Sequence, residues 1–309
     1  MGNFKDFTFP SADGRHDIYC SLWLPDGQPK GVIQIVHGIS EHVNRYDQMA
    51  HFFTEHGFAV CGDDHLGHGR TAAQDGKFGF AAKKNGWDLV LADVCHLRQI
   101  MGEEFPGIPY FLLGHSMGSF LVRTYLCRHP GEVSGALLSG TGQEPAYLVA
   151  AGYALSTLFS VLRGPEYVST VVHNCTIGVY NKQFNPTRTT ADWTTRDEAA
   201  VDQYLADPFC NRTPTVGLYR DMMTGLQYIA KDRFLSQMDP NTPVYLYSGD
   251  KDPVGSNGKG VEKVHGFFKK HGTKDLTLKL YPDGRHEMHN EINRDEVFAD
   301  LLNWLERHI

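Results

Sequence analysis

Short apolar runs recur along the chain and alternate with longer stretches of helical periodicity. The runs are rich in β-branched and aromatic residues, as expected of strands that are buried on both faces. They begin at Gly31, Phe58, Tyr110, Gly135, Val244 and Leu276. Helix-length segments lie between them, at 46–56, 87–104, 117–128, 260–270 and 294–307. This alternation predicts an α/β fold with a mostly parallel sheet covered by helices.

Two regions depart from the alternation. The first two apolar runs, at 7–9 and 17–24, have no helix between them and predict an antiparallel edge. Later in the chain, residues 143–236 show helices and loops but no convincing buried strand. The strand pattern resumes at Val244, so we expect one core, formed by 1–142 and 237–309, that is interrupted by a helical cap at 143–236.

Charge and cysteine content narrow the function classes. The 309 residues carry 29 Lys plus Arg against 36 Asp plus Glu, a net charge of -7, which argues against a nucleic-acid partner. The six cysteines are widely spaced and form no CxxC pair or zinc motif, so we expect reduced thiols and no metal site. The first residues contain no apolar secretion signal, and we therefore expect a cytoplasmic location.

One apolar stretch could be mistaken for a membrane span. Residues 145–162 carry no charge, but the stretch is slightly short, contains four small polar or glycine positions and has no basic flank on its N-terminal side. We therefore predict that it belongs to the cap and does not cross a membrane.

The strongest chemical signal is Gly114-His115-Ser116-Met117-Gly118, directly after one predicted strand and directly before a predicted helix. In this context the glycines permit a sharp turn that exposes the serine hydroxyl as a nucleophile. The alternative, a serine that merely caps the helix, would not require the acid and base candidates found later in the chain.

A serine nucleophile needs a histidine base and an acid that orients the histidine. Loops after the last two strands supply His286 as the candidate base and Asp252 or Asp250 as the acid. The Asp-Pro step favours Asp252, because such a turn brings a carboxylate back over the sheet edge. His289 is the rival base, and we expect it to be a solvated side chain near the last helix.

An oxyanion hole requires backbone N–H donors. Met117 is one candidate, because it follows the nucleophile at a helix N-terminus. Ile39 is the second, since Gly38 permits a tight turn after the strand that ends at residue 36. His37 and Glu41 are expected to support this loop, alternatively as a hydrogen-bonded pair, and His115 to support the nucleophile turn.

Taken together, these motifs resemble the monoacylglycerol lipase and lysophospholipase group of the α/β-hydrolases, with a cap closer to that of bacterial members. The matching segments are 37–42, Arg45-Tyr46, 63–69, 114–118, 249–252 and 284–286. The resemblance implies an eight-stranded core, a cap after the sixth strand and hydrolysis of esters with one acyl chain. It implies Ser116 as nucleophile, Asp252 as acid, His286 as base, Ile39 and Met117 as oxyanion donors, and no cofactor.

The first cap helix is more apolar than docking on the core requires. We expect it to wall an acyl-chain tunnel through Tyr147, Leu155 and Phe159, and to rest transiently on lipid aggregates. Two alternatives stay open: an aminopeptidase or amidase on the same scaffold, and a non-catalytic ligand receptor. The first would need a carboxylate-lined pocket for an amine, and the second usually lacks a triad member.

Overall fold

A single twisted sheet of eight strands forms the centre of the computed structural model, which describes residues 3–309. The strands are β1 (Asn3–Pro10), β2 (Asp17–Leu24), β3 (Gly31–Val36), β4 (Phe58–Asp63), β5 (Tyr110–His115), β6 (Gly135–Ser139), β7 (Val244–Gly249) and β8 (Leu276–Tyr281). Their order in the sheet is β1-β2-β4-β3-β5-β6-β7-β8. The predicted α/β-hydrolase arrangement of eight strands is confirmed.

The strand directions follow the two sequence patterns. β1 pairs with β2 and β2 with β4 in antiparallel register, while every pair from β4 onward in the order β4-β3-β5-β6-β7-β8 is parallel. The central strands β3, β4, β5, β6 and β7 are buried at every residue, as their continuous apolar runs predict. β8 is partly exposed because it forms the far edge of the sheet.

Helices cover both faces of the sheet. They are α1 (Asp47–Glu55), α2 (Gly69–Ala73), α3 (Gly86–Glu104), α4 (Met117–Arg128), α10 (Lys259–Lys270) and α11 (Arg294–Leu305), with α5 to α9 lying in the segment between β6 and β7. One apolar cluster packs α3, α4 and α10 on one face, and a second packs α1 and α11 on the other. Both faces of the sheet are therefore covered by helices. Sheets of this type place their functional residues in the loops at the carboxyl ends of the parallel strands.

Within the described part of the chain, the segment between β6 and β7 contains helices and loops but no strand. Its helices are α5 (Ala146–Arg163), α6 (Thr170–Asn174), α7 (Glu198–Ala206), α8 (Val216–Tyr228) and α9 (Asp232–Leu235), with a 3-10 helix at Ile177–Phe184. α5 packs on α8, where a Cβ added at Gly152 would lie 3.1 Å from the Met223 methyl group. Gly152 therefore lets these two helices pack closely on each other.

The apolar stretch noted in the sequence forms α5. Its 18 residues have a mean hydropathy of 1.3, so by length and composition alone this helix could cross a bilayer. Only 17% of it is buried, through a narrow face that includes Val149 and Ser156. The opposite face leaves large apolar side chains exposed, a feature that an internal core helix would not have.

Candidate active site

Ser116 occupies the sharp turn between β5 and α4. Its backbone has φ 52° and ψ -119°, a conformation that non-glycine residues rarely adopt. The flanking glycines act differently from the sequence prediction, because neither has a positive φ. A Cβ at Gly114 would lie 2.6 Å from the Gly118 carbonyl oxygen, and one at Gly118 would overlap the Val36 carbonyl oxygen. The glycines therefore permit close packing of α4 on the sheet, and the serine itself carries the strained conformation.

His286 and Asp252 form a buried pair at the ends of the last two strands. The His286 Nδ1 atom lies 3.0 Å from Asp252 Oδ1, and both side chains are almost fully buried. The Asp252 carboxylate also accepts hydrogen bonds from the Ser248 hydroxyl at 2.7 Å and from the Val254 backbone N–H at 2.9 Å. These contacts hold the ring through Nδ1 and leave Nε2 as the nitrogen that can serve Ser116.

Ser116 and His286 line the same cavity, but among residues 3–309 no hydrogen bond joins their side chains. Catalytic hydrogen bonds of this kind are often long before substrate binds. Burial lowers the pKa of His286, but the Asp252 carboxylate more than offsets this effect, so the pKa lies above its ordinary value. The Trp193 ring stacks on the imidazole with centroids 5.0 Å apart and shields it from water.

The rival acid Asp250 and the rival base His289 make contacts that differ from those of Asp252 and His286. Asp250 accepts a hydrogen bond from the Asp283 backbone N–H at 2.8 Å and pairs with Lys251 at 3.4 Å, whereas the carboxylate bonded to His286 is that of Asp252. His289, which we expected to be solvated, is buried and stacks on Tyr46 with centroids 4.3 Å apart. Burial lowers the pKa of His289 to about 3, so this ring is neutral and fills the core beneath the site.

The loop after β3 passes directly beside the nucleophile. A Cβ at Gly38 would lie 3.2 Å from Ser116 Cβ and 2.6 Å from Glu41 Oε1. The Gly38 N–H is already used, since it donates to Glu41 Oε1 at 2.5 Å. Among residues 3–309, no hydrogen bond uses the backbone N–H of Ile39 or Met117 as donor, so both stay available for an oxyanion.

His37 and Glu41 support this loop separately. The His37 Nδ1–H donates to the Gly38 carbonyl oxygen at 2.7 Å, and its Nε2 accepts from the His65 backbone N–H at 3.1 Å. The alternative, a hydrogen bond between His37 and Glu41, is not made, because His37 bonds to Gly38 and His65 while Glu41 bonds to Gly38, Arg45 and Tyr46. Under the nucleophile turn, the His115 Nδ1 atom lies 3.1 Å from the Ser139 hydroxyl oxygen, and burial holds the pKa of His115 well below its ordinary value.

A buried ion cluster joins the loop to the base. Arg45 lies between two carboxylates: it donates to Glu41 Oε2 at 2.8 Å and in bidentate fashion to Glu287 at 2.9 and 2.6 Å. Burial and the Glu287 charge raise the pKa of Glu41, whereas Arg45 overcomes the effect of burial at Glu287 and lowers its pKa. The guanidinium also lies 4.7 Å from the centre of the Tyr204 ring on α7.

Two cavities meet at the nucleophile. Ser116, Ile39, Ile177 and Trp193 line both. The larger, of about 430 Å³, is bounded mainly by apolar side chains from α4, α5 and α8, including Phe120, Leu148, Leu155, Met222, Met223 and Leu226. The smaller, of about 300 Å³, is bounded by polar groups that include Ser40, His173, Asn181, Thr190, Asn211 and Arg212. Both have the size of a small-molecule site.

Of the three residues predicted to wall an acyl-chain tunnel, one lines the apolar cavity and two do not. Leu155 lines the apolar cavity, as expected. Tyr147 does not, because 72% of it is exposed, and Phe159 instead stacks on Tyr167 at 6.1 Å outside the cavity. Sequence reasoning missed Trp193, which lies in a loop of the segment between β6 and β7 and belongs to no motif, and gave no role to Arg45 or Glu287. The i,i+4 spacing of Glu41 and Arg45 is the only signal that could have indicated their pairing.

Comparison with known proteins places this geometry in a family. The sequence model of the family described as "Serine aminopeptidase, S33" matches residues 27–293. The monoacylglycerol lipase of Mycolicibacterium smegmatis is 29% identical over 99% of this chain and 98% of its own, and the human monoglyceride lipase is 27% identical over 96% and 88%. A thermostable carboxyl esterase from Bacillus coagulans, solved in complex with glycerol, is 30% identical with a TM-score of 0.92 over 99% and 98% of the two chains.

The matches span nearly the whole chain, including the segment between β6 and β7. The predicted resemblance to the monoacylglycerol lipase group is confirmed. The chain belongs to the serine aminopeptidase S33 family of α/β-hydrolases and is a serine hydrolase.

Proposed function

We propose that the protein hydrolyses esters with a single acyl chain, such as monoacylglycerols, through an acyl-enzyme on Ser116. One observation carries this proposal: the serine lies at the junction of an apolar and a polar cavity. An ester of a fatty acid with glycerol has the same division, with its carbonyl carbon at the boundary. The glycerol bound to the related esterase of Bacillus coagulans supports a small polyol as the alcohol.

The proposed chemistry uses the groups around that junction. His286 Nε2 takes the proton of the Ser116 hydroxyl as its oxygen attacks the ester carbonyl, and Asp252 stabilises the imidazolium. The backbone N–H groups of Ile39 and Met117 donate to the oxyanion. The proton then passes to the departing alcohol, and a water molecule activated by His286 releases the fatty acid and restores Ser116.

The two cavities account for the expected selectivity. Each methylene group buried in the apolar cavity contributes up to ~0.8 kcal/mol, so longer chains gain affinity until the cavity is full. A triacylglycerol would have to place its other two chains in the polar cavity, against Asn181, Asn211 and Arg212. We therefore expect monoesters to be preferred.

The outer surface of α5 and the segment after it supports contact with lipid aggregates. Its exposed side chains are Tyr147, Leu148, Tyr153, Leu158, Val161, Leu162, Val168 and Val171. An amphipathic face of this kind can rest on a lipid surface and so bring the entrance of the apolar cavity to its substrate.

The family description raises an aminopeptidase as the second reading. An enzyme for free amines needs an unpaired carboxylate near the nucleophile, and the two cavities contain Glu41 and Glu287 on the polar side and Glu144 on the apolar side. Glu41 and Glu287 already pair with Arg45, at 2.8 and 2.6 Å. Burial raises the pKa of Glu144, which disfavours the charged form that an amine would need. A non-catalytic receptor would have no need for the buried Asp252–His286 pair beside Ser116.

We also propose the division into a core, 1–142 and 237–309, and a cap, 143–236, and a cytoplasmic location. The division is supported by the helices and loops that replace strands between Ser139 and Val244. A reducing compartment is supported by the six free cysteines.

A substrate panel tests the proposed function. We would measure kcat/KM for monoesters of glycerol with two to sixteen acyl carbons, for a triacylglycerol and for aminoacyl p-nitroanilides. We expect a several-fold increase for every two carbons followed by a plateau, and little activity on the other two classes. A flat chain-length profile, or faster cleavage of the anilides, would contradict the proposal.

A further inference from the structure

A cluster of three metal-ligating side chains lies outside the catalytic pair. His42, Asp207 and Cys210 each offer one ligand atom, and these atoms all lie within 4.8 Å of one another. The His42 Nε2 and Asp207 Oδ2 atoms are 2.9 Å apart. His42 and Cys210 are buried, whereas the Asp207 side chain is 28% exposed and opens the cluster to solvent.

The cluster joins two segments that are far apart in sequence. His42 ends the loop that contains Ile39, and Asp207 and Cys210 follow α7 in the cap. The same two segments are held together by a hydrogen bond from the Asn211 backbone N–H to the Ser40 carbonyl oxygen and by one from the Ser40 hydroxyl to the Arg212 carbonyl oxygen. The backbone at the cluster is therefore already positioned, so little ordering would be required to bind an ion there.

We propose that His42, Asp207 and Cys210 form a binding site for a divalent transition-metal ion, with Zn²⁺ as the best match. An imidazole nitrogen, a carboxylate oxygen and a thiolate sulfur are all zinc ligands, and three protein ligands with one open position is a common zinc arrangement. A thiolate disfavours Mg²⁺ and Ca²⁺, which require oxygen ligands. The widely spaced sequence positions explain why no zinc motif was recognised.

Binding is balanced in charge. The ion displaces the proton of the Cys210 thiol, which goes to solvent. It also replaces the hydrogen bond from His42 Nε2–H to Asp207 Oδ2, so the proton of the neutral ring moves to Nδ1 through solvent and Nε2 binds the ion. One thiolate and one carboxylate then neutralise the two positive charges of the ion. Asp207 stays oriented by the Phe209 backbone N–H, which donates to its other oxygen at 2.8 Å. Water would supply the fourth ligand.

An ion at this site would tie the cap to the loop beside the nucleophile. Since it binds only the folded arrangement, it raises the melting temperature as the metal concentration rises. This consequence does not depend on the proposed ester hydrolysis, because it is measured without substrate.

The test is titration of the full-length protein with Zn²⁺ in competition with a chromogenic chelator. We expect one ion per chain, at least tenfold weaker binding in Cys210→Ser and in His42→Gln, and a rise of several degrees in Tm for the wild type but not for these two variants. Matched controls are Cys175→Ser, an exposed thiol, and His271→Gln, whose ring pairs with Asp232 at 3.1 Å without a nearby cysteine. Both should bind Zn²⁺ as the wild type does.

Co²⁺ provides a second measurement that needs no variant of the cluster. A thiolate-to-metal charge-transfer band in the wild-type protein is the expected result, and its absence would overturn the proposal. The proposal would equally fail if no saturable Zn²⁺ binding occurred, if Cys210→Ser bound as tightly as the wild type, or if binding were lost in His286→Ala instead, which would locate the ion at the catalytic histidine.

Discussion

Two parts of the site are held together by different interactions: charge pairs in the lower part, which we call the floor, and apolar contacts in the upper part, which we call the roof. On the floor, formed by the strand ends, each charged group has a partner: Asp252 holds His286, and Arg45 holds Glu41 and Glu287. The roof, formed by α5 and its neighbours, presents apolar side chains to the cavity and to solvent. Hydrogen bonds fix the distance and angle between the atoms that they join, whereas the free energy of apolar contacts depends only on the area that is buried.

The floor therefore serves the chemical step, and the roof serves the choice among substrates. Bond breaking requires a fixed geometry between Ser116, His286 and the oxyanion donors, so it depends on the floor. Choice among acyl chains requires only graded burial, which the roof supplies. Substitutions in the floor should therefore change rates by orders of magnitude, and those in the roof by single factors.

The largest effect is expected from Ser116→Ala. Loss of the nucleophile should lower kcat on the order of 10⁶-fold, with no change in unfolding by denaturant. Turnover assays with a short-chain ester measure kcat, and Ser236→Ala, on the exposed surface, is the control variant. Retention of more than a few per cent of activity would show that another residue attacks the ester.

Asp252→Asn should follow, with a loss of around 10⁴-fold in kcat, because an amide favours the wrong tautomer of His286. Asp250→Asn, whose carboxylate faces the Asp283 backbone instead, should change kcat little. Equal losses in the two variants would mean that the acid is wrongly assigned.

The pH dependence of kcat/KM tests the role of the Asp252–His286 pair on the floor. His286 must be neutral to act as base, and its raised pKa places the acid limb of kcat/KM above pH ~6.5, the ordinary value for histidine. In the residual activity of Asp252→Asn this limb should move to lower pH, because the carboxylate that raises the pKa is gone.

Arg45→Gln tests whether the floor depends on its ion pairs. Removing one partner from a buried pair typically costs about 3–5 kcal/mol of unfolding free energy, and here two carboxylates lose their cation. Because Arg45 lowers the pKa of Glu287 to about 2, its contribution is fully present above pH ~4.5, the ordinary value for glutamate, and is lost as the pH falls from there towards 2. Denaturant unfolding at pH 7 and at pH ~3 should therefore show a larger difference from wild type at pH 7. A deficit that did not depend on pH would indicate lost packing against Tyr204 instead.

The smallest effect is expected in the roof. Leu155→Asp puts a charge on the wall of the apolar cavity and should lower kcat/KM for a twelve-carbon monoester roughly tenfold, which corresponds to about 1.4 kcal/mol. A two-carbon ester should be almost unaffected. Tyr147→Asp, on the exposed side of the same helix, is the matched control in solution. If both variants lost activity equally on both esters, helix stability and not the cavity wall would be the cause.

Much of the floor could be predicted from local sequence. The Gly114–Gly118 turn, the run of β7 into Asp252 and the run of β8 into His286 each follow from a strand and the loop next to it. Parallel strands place their carboxyl ends at one edge, so residues after β5, β7 and β8 must meet there. His289 was wrongly expected in solvent, because its burial depends on Tyr46, a residue more than 200 positions earlier.

The sequence by itself determined the order of strands and helices and the residue types at each strand end, since periodicity and turn chemistry are local properties. Only the tertiary structure decided which apolar residues of α5 line a cavity, that Trp193 covers His286, that Arg45 pairs with Glu287 across 242 positions and that His42 meets Asp207. Those contacts depend on how the cap sits above the sheet, and packing between distant segments leaves no period in the chain.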